Sequence, residues 1–318
     1  MTFALRFILK LLLVAIVAIV VFAVAGVIAT WAPDRSVESL KARWAQAPSQ
    51  FVEAAGMQVH VRDEGPRDGA APIVLLHGTS ASLHTWDGWA TELSKTRRVI
   101  RFDLPAFGLT GPHPQNDYSI DGYVNFVIAV MDKLGVQRFA LAGNSLGGQI
   151  AWATAVAAPT RVSALVLVDA GGYAFKPTSV PIGFRLARIP GLRRVMEFTL
   201  PRGVVKSSLE NVYGNPALVT PDLVDRYYEL TLRAGNRAAL AYRMDQMLAG
   251  DVAQIKTLKM PTLILWGGQD RLIPLENAHW FARDIAGAKL VTFEALGHLP
   301  HEEDPKATVA ELLRFAGL

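Results

Sequence analysis

Phe139-Ala140-Leu141-Ala142-Gly143-Asn144-Ser145-Leu146-Gly147-Gly148 is the stretch on which the reading of this chain turns. Its first four residues read as a buried apolar strand. Leu146 to Ala158 reads as a small-residue helix that ends before Pro159. Gly-x-Ser-x-Gly stands between them. A strand that enters a helix through so short a turn crowds the two backbones, so the residues two before and two after the serine must be small. Gly143 and Gly147 meet that need, and Gly148 lets the helix pack closely. The turn lifts the Ser145 hydroxyl above the sheet. The helix start directs its dipole and free N–H groups at developing negative charge. In a chain with 26 glycines the pattern alone is only moderately specific, so its context carries the inference.

On both sides strand and helix signals alternate. Phe51–Ala55 and Gln58–Asp63 flank Gly56 as a predicted hairpin, and Ile73–Leu76 and Val99–Phe102 are short apolar strands. Ser119–Leu134 is a predicted helix with Ser119 or Asp121 as its cap, and Val162–Val168 is a buried strand. Further on, Thr262–Trp266 and Leu290–Phe293 read as strands, and Leu275–Ile285 and Thr308–Phe315 as helices. This predicts an α/β fold with a mostly parallel sheet and helices on both faces. From Gly171 to about Gly250 the alternation breaks into helical patches interrupted by Pro177, Pro181, Pro190, Pro201, Pro216 and Pro221. That segment reads as an inserted helical cap. No internal repeat is seen.

Leu11 to Ala32 carries no charge and is long enough to cross a hydrocarbon core of about 30 Å as a helix. A retained anchor is one reading. A cleaved signal peptide, with Arg6 and Lys10 at its start and Ala23-Val24-Ala25 as the cleavage site, is the other. The first is preferred because the run continues to Trp31, past a typical h-region of about 7–15 residues. The expected organisation is an anchor or signal at 1–33, a charged, partly helical linker at 34–50, a core at 51–170, the cap at 171–250 and the rest of the core at 251–318. A short tail before the span fits export of the bulk of the chain, and signal cleavage would make it secreted or periplasmic. Net charge is +4, and no long Lys/Arg run suggests nucleic acid. The absence of cysteine excludes disulfides and thiolate metal sites.

A nucleophilic serine needs a base and an orienting acid, in the chain order Ser, Asp/Glu, His on such a sheet. Asp270 follows the strand Thr262–Trp266, and His298 follows the strand that ends at Phe293. Both sit at C-terminal strand ends, where parallel sheets collect their ligands. His298 is the expected base and Asp270 the acid that holds its tautomer. His301 competes as base, and Asp169, at another strand end, competes as acid. Asp103 reads as a structural turn carboxylate, and His77 as a structural histidine on its strand end. The oxyanion donors are expected to be the backbone N–H groups of Leu146 and Thr79, with Ser80 as runner-up for the second.

His77-Gly78, Asp103-Leu104-Pro105-Ala106-Phe107-Gly108, the turn at Ser145 and the Asp270/His298 pair stand in the order seen in the α/β-hydrolase superfamily, which residues 51 to 318 resemble. The resemblance implies a serine hydrolase with a helical cap between the sixth strand and the next helix, and no cofactor or metal. The Ser145 and Asp270 segments are similar to those of meta-cleavage-product hydrolases, which split carbon–carbon bonds. Thr79-Ser80-Ala81-Ser82 replaces that group's glycine-rich segment. The apolar N-terminus is closer to membrane-bound monoacylglycerol-lipase-like and esterase members. Serine at 145 argues against epoxide hydrolases and haloalkane dehalogenases, which use a carboxylate nucleophile.

The expected activity is hydrolysis of a lipid-like or short to medium acyl ester through an acyl-serine. Carbon–carbon hydrolysis, acyl transfer and a catalytically silent binding module are the alternatives. Membrane lipid is an expected partner. Lys176, Arg185, Arg188, Arg193, Arg194, Arg202 and Lys206 are opposed only by Glu197 and interleave with apolar residues, which suits an anionic bilayer interface. A solvated cap face with its apolar side on the core is the competing reading.

Overall fold

The computed structural model describes residues 3–187, 189–246 and 250–315, so Arg188 of the basic group lies outside the described residues. The chain opens with a long helix, α1 (Phe3–Ala29), and a short one, α2 (Val37–Trp44). Strands β1 (Ser49–Ala54), β2 (Met57–Glu64) and β3 (Ile73–Leu76) follow, then α3 (Asp87–Leu93), β4 (Val99–Phe102), α4 (Ile120–Lys133), β5 (Phe139–Asn144), α5 (Leu146–Ala157) and β6 (Val162–Val168). Five helices come next: α6 (Ile182–Ala187), α7 (Pro190–Met196), α8 (Arg202–Val212), α9 (Pro221–Thr231) and α10 (Asn236–Asp245). The chain then returns through β7 (Thr262–Gly267), α11 (Glu276–Asp284), β8 (Lys289–Phe293), α12 (Pro300–Glu303) and α13 (Pro305–Leu313).

The eight strands form one sheet in the order β1-β2-β4-β3-β5-β6-β7-β8. β2 pairs antiparallel with β1 and with β4, and every later pairing is parallel. Side chains alternate across the pleat, so one strand serves two cores. On β3, Val74 and Leu76 join the core under α4 and α5, while Ile73 and Leu75 join the core under α3 and α13. This requires the apolar runs seen in the central strands and accounts for helices on both faces.

Segment 34–50 is partly helical, as expected, and it also docks on the body: Ser36 caps α2, whose Leu40 and Trp44 are buried with Leu109 and Leu230. Other elements depart from the sequence expectation. The cap prolines mark helix starts as much as interruptions. Pro190 and Pro221 stand in the first turns of α7 and α9, where proline removes an N–H that has no intrahelical partner anyway. The helix expected from Thr308 begins at Pro305, with Asp304 accepting from Ala307 N–H as its cap.

Asp103, just past β4, organises the loops at the C-terminal end of that strand. Its Oδ2 meets His60 Nδ1 at 2.8 Å and accepts from Leu109 N–H at 2.7 Å, while Oδ1 accepts from Leu83 N–H at 2.8 Å. Gly108 has φ +53 and lies so close that a Cβ there would overlap the carboxylate. Burial pushes the Asp103 carboxyl up, but His60 beside it, with His77 and His84 nearby, holds it well below the usual range. A depressed folded-state pKa contributes stability above the unfolded value of about 3.9, and that contribution is lost as pH falls through the folded value. Asp103→Asn is therefore expected to cost about 3 kcal/mol at pH 7. Urea unfolding will show the gap from wild type narrowing below about pH 4.

Candidate active site

Ser145 joins β5 to α5 with φ 55 and ψ −116, a conformation that costs a non-glycine residue about 1–3 kcal/mol unless its surroundings fix it. Here they do. Ser145 N–H donates to Val168 O at 3.1 Å, and Ser145 O accepts from Gln149 N–H at 3.0 Å and Gly171 N–H at 2.9 Å. A Cβ on Gly143 would run into the Gly147 carbonyl, and one on Gly147 into the Leu76 carbonyl. The glycines of the motif are thus required by backbone crowding.

His298 lies in the loop after β8, and its Nδ1 meets Asp270 Oδ2 at 2.6 Å. The other Asp270 oxygen accepts from Leu272 N–H at 2.8 Å and Ile273 N–H at 2.9 Å. With Nδ1–H donated to the carboxylate, the neutral ring keeps its lone pair on Nε2. His298 N–H donates to Val212 O at 2.8 Å in the cap. Asn144, the residue before the serine, donates from Nδ2 to His298 O at 3.0 Å and to Val168 O at 3.1 Å. The structure therefore pairs Asp270 with His298 after the adjacent strands β7 and β8, with Ser145 at the same end of the sheet after β5, on the other side of β6.

The turn after β3 abuts the serine. A Cβ on Gly78 would lie 3.1 Å from Ser145 Cβ. Ala81 N–H donates to Gly78 O at 3.3 Å, and Ser80, with φ 62, completes the bend with Thr79 between. Leu146 is the first residue of α5, so its N–H has no acceptor one turn back in the helix. Leu146 thus follows Ser145 directly, and Thr79 follows the glycine that abuts it.

The competing residues fall elsewhere or take other parts. His77 is buried; its Nε2 accepts from Leu104 N–H at 2.9 Å, so its Nδ1–H donates to Gly78 O at 2.8 Å, and burial pushes its pKa down. His301 is buried against Trp86, with ring centroids 4.0 Å apart, and its Nε2 meets Thr85 Oγ1 at 3.0 Å. Burial and nearby His298 push its pKa well down. Asp169 stays close: Asp169, Asp270 and His298 each offer an atom within 4.8 Å of the others. That set has the composition of a metal site, but Asp270 and His298 bond each other. Asp169 Oδ1 accepts from Gly267 N–H at 2.9 Å, while its buried Oδ2 meets no backbone N–H among the described residues and lies close to Asp270.

Asn144 and Glu303 were not singled out from the sequence. Glu303 Oε1 accepts from Gly297 N–H at 2.8 Å and its Oε2 from Gly214 N–H at 2.8 Å, which ties the His298 loop to the cap. In sequence Glu303 belongs to an ordinary acidic run, and its role depends on a fold contact. A cleft of about 440 Å³ beside Arg138, Pro159 and Met260 opens at the N-terminal strand ends, away from Ser145.

The description alpha/beta hydrolase fold fits residues 71–305. A 2-hydroxy-6-oxo-2,4-heptadienoate hydrolase of Pseudomonas putida is 31% identical over 262 residues, spanning 78% of this chain and 89% of that one. A solved meta-cleavage product hydrolase of Pseudomonas fluorescens is 29% identical with TM-score 0.72, covering 84% of this chain and 96% of its own. A solved bacterial membrane phospholipase A is 25% identical with TM-score 0.72, covering 98% of this chain and 97% of its own. The protein is a hydrolase. It belongs to the α/β-hydrolase family.

Burial and the Asp270 charge push the Asp169 carboxyl well up. A raised carboxyl contributes stability below its unfolded pKa and loses it as pH rises through the folded value. Asp169→Asn keeps an acceptor for Gly267 N–H and removes the proton equilibrium. Thermal melts between pH 5 and 8 are expected to show no loss of Tm, and a difference from wild type that turns in the variant's favour as pH rises.

Proposed function

We propose that the protein is a membrane-anchored serine esterase acting on acyl esters. Ser145 is the nucleophile in this reading, His298 the general base and acid, and Asp270 the group that holds the imidazole. His298 Nε2 takes the hydroxyl proton as Ser145 Oγ bonds to the ester carbonyl carbon. The carbonyl electrons move to oxygen, which accepts from the Leu146 and Thr79 N–H groups. The tetrahedral species expels the alcohol with the proton from His298, leaving an acyl-serine. Water, deprotonated by His298, then releases the acid and restores Ser145. Asp270 keeps its negative charge throughout and stabilises the imidazolium.

The Asp270–His298 hydrogen bond beside the strained Ser145 turn carries this reading. Ester specificity and the anchor draw support from α1. It is 27 residues long, about 40 Å, with mean hydropathy 3.3 in its most apolar stretch and no buried residue. The likeness to the membrane phospholipase A extends over 98% of the chain, whereas the likeness to the meta-cleavage product hydrolase covers 84%. In this reading the bulk of the chain is exported. Carbon–carbon hydrolysis is the second reading, favoured by the 31% identity to the heptadienoate hydrolase.

Ser145→Ala is expected to abolish labelling by a fluorophosphonate and to lower ester turnover by about 10⁴- to 10⁶-fold. Asp270→Asn should lower kcat by about 10⁴-fold through the wrong histidine tautomer. Stoichiometric labelling of Ser145→Ala would refute the nucleophile. Faster turnover of a ring-fission dienoate than of a chromogenic ester panel would favour the second reading.

A further inference from the structure

The end of α1 is bonded into the cap. Ala32 N–H donates to Phe198 O at 2.9 Å and Leu200 N–H donates to Thr30 O at 3.1 Å, an antiparallel bridge centred on Trp31 and Thr199. The Trp31 and Phe198 rings stack with centroids 5.7 Å apart and planes 7° from parallel. A little further on, Arg35 N–H donates to Leu232 O at 2.6 Å, and Ala234 N–H donates to Arg35 O at 2.8 Å. Asp34 accepts from Gly235 N–H at 3.0 Å and from Arg237 at 2.6 Å. Residues 30–35 thus strap α1 to the α7–α8 junction and to the α9–α10 junction. Such a strap fixes the cap's position relative to whatever surrounds α1.

The cap surface that continues from this strap is apolar and exposed. Ile189, Leu192, Val195 and Phe198 are 48%, 41%, 38% and 52% exposed. Their spacing of three puts the α7 members on one side of that helix. The basic residues nearby divide into two groups. Arg193 pairs with Asp245, Arg202 with Asp225 and Lys206 with Glu210, so these close cap contacts. Arg185 and Arg194 are exposed.

We propose that the α7 face and Phe198 lie on the surface of the same bilayer that α1 spans, with Arg185 and Arg194 directed at anionic headgroups. The proposal rests on the reading of α1 as a retained anchor. The occupant follows from continuity: the apolar helix leaves the body at Thr30, next to the Trp31–Phe198 stack, so lipid around α1 meets the exposed stripe without a gap in sequence or space. From the strap, α8 runs about 16 Å to Val212, whose carbonyl holds His298 N–H. Acyl chains leaving the bilayer at this face therefore lie one short helix from the site.

The chain contains no cysteine, so a single Leu192→Cys, Val17→Cys or Leu313→Cys substitution places one fluorophore in an otherwise unlabelled full-length protein. Each labelled protein is reconstituted in phosphatidylcholine vesicles with and without 30% (about one lipid in three) phosphatidylglycerol, carrying shallow or deep spin-labelled lipid quenchers. Residue 17 should respond most to the deep quencher. Residue 192 should respond to the shallow one at least about threefold more than residue 313, which is exposed on the far C-terminal helix. Arg185→Glu with Arg194→Glu should reduce quenching at 192 in anionic vesicles and leave residue 17 unchanged. Deep quenching at 17 with no more quenching at 192 than at 313 overturns the proposal while the anchor stands. No quenching at 17 overturns the anchor itself. Shielding of 192 by energy transfer to a second labelled copy, without lipid quenching, assigns the face to self-association and overturns it as well.

Discussion

Backbone crowding around Ser145 is the constraint from which the site grows. β5 and α5 meet so closely that Gly143 faces the Gly147 carbonyl, and Gly147 faces the carbonyl of Leu76 on the neighbouring strand. A side chain at either position would force the helix off the sheet. With both absent, α5 starts directly above the end of β5. That holds Ser145 in its unfavourable backbone conformation through bonds from Val168, Gln149 and Gly171. The parallel register then sets the rest. Asn144 pairs with Val168, and Gly267 with Phe293, so the loops carrying Asp169, Asp270 and His298 leave the sheet side by side.

Buried polar groups keep those loops in place, and each does so by accepting or donating to backbone. Asn144 joins two loops through Val168 O and His298 O. His77 bridges the β3 turn to Leu104, and Asp103 gathers Leu83, Leu109 and His60. A buried donor or acceptor left unpaired costs about 1–3 kcal/mol, so every such bond also penalises wrong loop positions. The Asp169–Asp270 pair is the exception that informs. Asp270 has three donors around it and suits a carboxylate, whereas Asp169 has one donor and an oxygen with none. Burial and the neighbouring carboxylate accordingly push the Asp169 carboxyl up.

The α/β alternation was legible because strands buried on both faces are mostly apolar, even where one polar residue such as Arg101 intervenes. Ile73–Leu76, Val99–Phe102 and Val162–Val168 have the ends expected for them. The candidate site residues were legible at strand ends, where Asp270 and His298 do pair. What escaped the sequence was whatever depends on distant partners. Asn144 sits inside the motif, yet its importance lies in a carbonyl 154 positions later. Glu303 resembles any surface carboxylate until the cap delivers Gly214 N–H to it. Helicity in 34–50 was expected, but the docking of α2 was not, because Leu40 and Trp44 bury against a surface that exists only after folding.

The cap and the histidine loop share too many bonds to act separately. Val212 O holds His298 N–H, and Glu303 spans from Gly297 to Gly214. A Cβ on Gly214 would meet the carbonyl of Ala295, and one on Gly297 would meet that of Val212, so the two loops touch through bare backbone. A cap joined only by side-chain contacts could shift on binding and leave His298 untouched. Here displacement of the α8 end must break backbone hydrogen bonds of the loop that orients the imidazole. At the other end of α8, the strap from Thr30 to Arg35 fixes the same helix to α1. One 11-residue helix therefore stands between the apolar helix α1 and His298, and its position is set from both sides.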